Sequence, residues 1–156
     1  AGPASTLKLV VGVLILVFAL PSGWLADKVG RKRLVALSGI LATAGTVILL
    51  LSPTLNVIMI GGSIVGAGIG MFFATSWALG TDIVPKRAAG KFLGISNLAG
   101  AGAGAVGAYI GGPIADYFTI HFPQLPGLGY MVIFGIYAAL FLISTIVLIK
   151  VPEPRI

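Results

Sequence analysis

Five stretches of this chain stay apolar for close to twenty residues or more, and that feature leaves few folds open. They are residues 7–26, 34–51, 57–79, 92–117 and 128–149, carrying charge only at Lys8 in the first and Asp116 in the fourth. At 1.5 Å per helical residue each reaches roughly 27 Å or more, about the thickness of a bilayer's hydrocarbon core. Open-ended segments satisfy their backbone in lipid only as helices, and these runs lack the alternation of barrel strands. The chain is therefore expected to be all-α, a polytopic transmembrane helical bundle of five spans forming one transmembrane domain over residues 1–156.

Composition supports this. With 58% hydrophobic and 9% charged residues and a mean hydropathy of +1.10, the chain has too little polar surface to coat a soluble globule of 156 residues. The net charge of +6 does not point to nucleic acid, because the basic residues sit in short links between spans and form no stripe with interleaved aromatics. There is no cysteine, so disulfides and thiol chemistry are excluded, and one histidine with four scattered acids makes no metal cluster. The pattern GxGxxG occurs at Gly102, Gly104 and Gly107, but inside an apolar run with no strand before it, so no nucleotide cofactor follows. No cofactor is expected, and an intramembrane enzyme lacks a nucleophile with its base.

Between the first two spans lies the most unusual stretch, Gly23-Trp24-Leu25-Ala26-Asp27-Lys28-Val29-Gly30-Arg31-Lys32-Arg33. Asp27 sits at the C-terminal end of its helix, where the macrodipole is negative, and Arg31, Lys32 and Arg33 open the next one, where it is positive. Each charge is at the wrong end of its own helix. Such a conflict calls for a compensating neighbour across the turn or on another helix, and sites of this kind are often functional. Gly30 suits a turn with positive φ, and Gly23 leaves room for a close helix contact.

The remaining links set orientation. The second and third spans join through Ser52-Pro53-Thr54-Leu55-Asn56, the third and fourth through residues 82–91, and the fourth and fifth through residues 119–127 with the single His121. Alternation places Lys28, Arg31, Lys32, Arg33, Lys86, Arg87, Lys91, Lys150 and Arg155 on one face and only Lys8 on the other. The positive-inside rule then puts the C-terminus in the cytoplasm and the N-terminus outside, in a multi-pass plasma-membrane protein. Residues 9–20 behind Lys8 have the outline of a signal peptide, but cleavage would strand the basic cluster on the translocated face. Ala1 is read as the start of an excerpt.

Two spans are rich in glycine. Gly62, Gly66 and Gly70 recur on the third, and Gly100, Gly104, Gly107 and Gly111 on the fourth, each giving a smooth stripe on which another helix can pack. The partners are each other or helices beyond this chain. Pro21 and Pro113 lie near span ends and are either pivots or shapers of a terminus.

Gly23, Leu25, Asp27, Gly30, Arg31 and Lys32 match the G-x-L-x-D-R/K-x-G-R-K/R signature at its fixed positions, and here the chain resembles the major facilitator superfamily. Residues 82–91 with Gly94 and Asn97 look like the family's loop two spans later, and Gly111-Gly112-Pro113-Ile114-Ala115-Asp116 resembles the end of the following helix. The resemblance covers residues 7–149 and implies helices two to six of one half of a twelve-helix transporter. The third span has no arginine, which favours the C-terminal half, helices eight to twelve. It implies secondary transport of a small solute by alternating access, with membrane lipid, the solute and the remaining helices of the same transporter as partners. Gly23, Asp27, Gly30, Arg31, Lys32 and Asp82 would form the conformational switch, Asp27 steadying one state and Arg31 pairing with Asp27 and Asp82. The family's cavity helices here carry Thr75, Ser76, Trp77, Ser96, Asn97 and Tyr109, of which Trp77, Asn97, Ser76 and Tyr109 are the candidate solute contacts. A competing reading is a five-helix scaffold or partner subunit that transports nothing.

Overall fold

The computed structural model describes residues 2–52 and 54–151. Pro53 and Arg155, both used in the sequence reading, lie outside the described residues. Five helices follow in order: α1 (Pro3–Val29), α2 (Arg31–Leu50), α3 (Leu55–Ile83), α4 (Ala89–His121) and α5 (Leu128–Leu148), with one 3-10 turn, Lys86–Ala88, ahead of α4. No strand occurs among the described residues. All five are long and apolar enough to cross a membrane.

The helices overrun the apolar stretches at their polar ends. α3 continues through Asp82 to Ile83, so the link to α4 is residues 84–88, shorter than the expected 82–91. α4 runs on to His121, which places the histidine on the last helical turn, its ring stacked on Tyr117 with centroids 4.2 Å apart, rather than in the loop. Apolar content marks the part of a helix that lies in lipid, whereas the backbone ladder continues wherever its hydrogen bonds are met. At 33 residues α4 is about 50 Å long, well beyond a hydrocarbon core of ~30 Å. Pro21 and Pro113 lie within helices that continue past them to Val29 and His121, so neither shapes a terminus.

α3 is the central helix, with α1 on one side and α2 on the other, while α5 packs on α2 and carries α4. Glycine makes the central contacts possible. A Cβ added to Gly66 would stand 3.0 Å from the Val11 carbonyl oxygen, one on Gly62 2.7 Å from Leu7 Cδ1, and one on Gly70 would strike the backbone carbonyl of Ile15. Toward α2, a Cβ on Gly45 would lie 2.8 Å from the Gly61 carbonyl oxygen. Backbones this close gain dispersion contacts that bulkier residues forbid. The small polar residues caught in this interior turn inward on their own helices: Ser38 donates to Val35 O, Thr46 to Ala42 O and Thr75 to Met71 O, each at 2.7 Å.

The stripe on α4 is placed differently. No atom lies within 4 Å of a Cβ built on Gly100 or Gly104, and Gly107 meets only the Tyr137 hydroxyl at 3.8 Å. The stripe of α3 meets α1, so the two glycine stripes do not meet each other. Gly23 also faces open space, and its expected close helix contact is absent among the described residues. Large apolar side chains such as Leu16, Leu20, Leu98 and Ile143 point outward, as an apolar solvent requires.

Candidate functional site

The hinge between α1 and α2 is a single non-helical residue, Gly30, at φ 105, a conformation that side chains disfavour. One residue of turn reverses the chain so tightly that Asp27, in the last turn of α1, and Arg31, the first residue of α2, remain within reach, although the two helices pack on opposite sides of α3. Directly beneath them Ala26, Leu34 and Met71 are buried together, with Leu25 and Leu41 packed around, so the polar cluster rests on a dry support.

Arg31 uses its guanidinium in three directions. Nη1 donates to Asp82 Oδ1 at 2.6 Å and to the Ala78 carbonyl at 2.8 Å, and Nη2 donates to Asp27 Oδ1 at 3.1 Å. Two carboxylates and one backbone carbonyl, from the C-terminal ends of α1 and α3, thus converge on one cation. Lys32, its neighbour, turns the other way: its Nζ donates to Ile149 O at 3.1 Å and Val151 O at 2.6 Å, just beyond the end of α5. The apparent conflict of charge and dipole is resolved by this arrangement. The chain alternates direction, so α1, α3 and α5 all end on the face where α2 begins, and Arg31 and Lys32 of α2 sit among three negative helix ends. Lys28 lies 3.7 Å from the centroid of the Trp24 ring one turn back on α1, so its charge rests on an aromatic face of its own helix.

The pairing of Arg31 with Asp27 and Asp82 is what the family resemblance implied, and the structure forms both contacts; the carbonyls of Ala78, Ile149 and Val151 were not anticipated. Backbone acceptors carry no residue identity, and Lys32 reaches across 117 and 119 positions of sequence. The signal that could have found them is parity, since every odd-numbered span must end on the hinge face.

The candidate solute contacts divide. Ser76 and Trp77 of α3 and Ser96 and Asn97 of α4 face one groove of about 820 Å³ between these helices, together with Phe72, Phe73 and Phe92. Its mixture of aromatic walls and a few hydrogen-bonding groups is that of a small-molecule cleft. Tyr109 is elsewhere, 84% exposed in a separate shallow depression with Pro113 and Tyr117. Twelve residues along α4 separate it from Asn97, about 18 Å. Thr75 is fully buried inside the bundle and does not face the groove. No group of three or more His, Cys, Asp or Glu that could hold a metal occurs among the described residues.

With this geometry in hand, comparison with known proteins is decisive for the family. Residues 3–156 match the family described as Major Facilitator Superfamily. The chain belongs to it. Superfamily members with curated names include an uncharacterized MFS-type transporter of Mycobacterium tuberculosis, 30% identical over 74% of this chain and 16% of its own length. The minor myo-inositol transporter IolF of Bacillus subtilis is 30% identical over 86% of the chain and 29% of its own length. The putative multidrug resistance protein MdtD of Escherichia coli is 31% identical over 70% and 23%. The chain thus spans less than a third of the length of these relatives. No solved structure matches. As a superfamily member with five apolar helices it is a multi-pass membrane protein, and the relatives named here include transporters and no enzyme.

Proposed function

We propose that this chain is five consecutive helices of a secondary active transporter, helices eight to twelve of its C-terminal half, which move a small solute across the plasma membrane by alternating access. The observation that carries the reading is Arg31, whose one guanidinium ties the ends of α1 and α3 at the start of α2. A bond set that joins three helices at one membrane face has two clear arrangements, made and broken, which is what a two-state carrier needs. Gly30 supplies the turn, Asp27, Arg31, Lys32 and Asp82 form the latch, and the hinge face is cytoplasmic, with the N-terminus outside.

Asp27 is the least enclosed member, 65% exposed, and so is the one free to meet a helix of the other half when the carrier closes on this face. The open glycine stripe of α4 offers a seat for those remaining helices, and the groove with Ser76, Trp77 and Asn97 supports a solute site; Tyr109 would contribute only from a second subsite. The names of the relatives, two of them a myo-inositol transporter and a putative multidrug resistance protein, fit a small uncharged or amphipathic solute.

The test is Asp27→Asn in the full-length protein reconstituted in vesicles. We expect normal insertion with most transport lost, because a contact of about 1–3 kcal/mol shifts the two states by one to two decades. Wild-type flux in this variant would refute the latch.

A further inference from the structure

The C-terminal end of α5 is capped from another helix. An α-helix leaves its last four carbonyls without partners, and glycine or a nearby cation of the same helix commonly meets that need. α5 has no basic residue in its last turn, and its cap residue Ile149 stays right-handed at φ −56 in place of a left-handed glycine. A tightened tail meets part of the need: Ile149 N donates to Ile146 O, Lys150 N to Val147 O and Val151 N to Leu148 O. The carbonyls that come next, those of Ile149 and Val151, receive Lys32 Nζ. Lys150 is the residue that sequence would nominate for this cap, yet it is exposed, and Lys32 does the capping from the start of α2.

We infer that Lys32 is a positioning residue that caps α5 in trans and thereby makes the end of α5 move with the hinge. Arg31 and Lys32 are adjacent on α2 and so point about 100° apart, one toward α1 and α3, the other toward α5. The first turn of α2 is therefore a two-way tie, and a shift of α2 that loosens Arg31 from Asp82 also strains the cap on α5. Coupling of this kind is reciprocal, so the order of the α5 end reports the state of the latch and feeds back on it. α4, which packs chiefly on α5, is carried by the same motion. This inference deepens the transport reading and rests on it for the functional arm of the test only.

Amide hydrogen exchange in the full-length protein reads the cap without any solute. Lys32→Met should lower protection of residues 149–151 about tenfold, the scale of losing a charge-assisted hydrogen bond at a part-exposed site, and Lys32→Arg should restore it. In transport, Lys32→Met should lower kcat with little change in KM, again with rescue by arginine, since the ammonium touches no solute. Should Lys32→Met fail to insert, Lys32→Gln with the same exchange readout replaces it. Unchanged protection at residues 149–151 overturns the cap, and lost protection with kcat unaltered overturns its coupling to the hinge. Loss of all transport in wild type and variants alike, with the exchange effect intact, would instead count against the transport reading.

Discussion

At the scale of single residues, the hinge is held by one arginine and its unequal partners. The Arg31–Asp82 contact is short and Asp82 is 32% exposed, whereas Asp27 is 65% exposed and sits one turn away on the preceding helix end. Hydrogen bonds to charged groups in partly enclosed sites contribute about 1.5–3 kcal/mol, and exposed pairs a few tenths to about 1. Asp82→Asn should therefore cost about 1–2 kcal/mol of stability, and Asp27→Asn about half a kcal/mol or less, as read by reversible unfolding in mild detergent. The reverse ranking would mean that the cluster is held chiefly through Asp27. The low cost expected for Asp27→Asn is also what makes its transport defect interpretable. Asp27 and Arg31 could be read from sequence because charges at the wrong helix ends demand partners, whereas Asp82 entered only through the resemblance to the family. The role of Lys32 could not, since its partners are backbone oxygens far along the chain.

At the scale of helices, identical patterns have different surroundings. The stripes of α3 and α4 look alike in sequence, and only the folded chain separates them: Gly70 lies against the backbone of Ile15, while Gly104 faces open space. Adding a methyl group where a carbonyl already stands forces apart two helices, at about 1–3 kcal/mol for overpacking. We expect Gly70→Ala to lower the melting temperature of the isolated chain distinctly more than Gly104→Ala, measured side by side in detergent. Equal effects would contradict the packing of α1 on α3. The existence of five helices was legible because hydrophobic length is a strong signal in lipid. Their ends were not, because residues such as Asp82 and His121 are polar yet helical, and polarity shows only where the membrane stops.

For the whole molecule, one geometric relation holds the account together. Alternating helices bring the C-terminal ends of α1, α3 and α5 to the face where α2 begins, and the contacts of Arg31 and Lys32 depend on that parity. The same relation gathers Lys28, Lys86, Arg87 and Lys150 at one end of the bundle, which in the proposed topology is the asymmetry the positive-inside rule uses. The relatives are longer than this chain, and in the transport reading proposed above the open groove beside Trp77 is the solute surface and the bare stripe of α4 the seat for further helices. The absence of cysteine from this chain makes the relation directly testable by single-cysteine labelling in the full-length protein on a cysteine-free background. With a membrane-impermeant maleimide applied to sealed cells, Lys28→Cys and Lys86→Cys should both stay unlabelled until the membrane is opened, while Asn56→Cys and Gln124→Cys should label at once. Labelling that puts Lys28 and Lys86 on opposite sides of the membrane would contradict it.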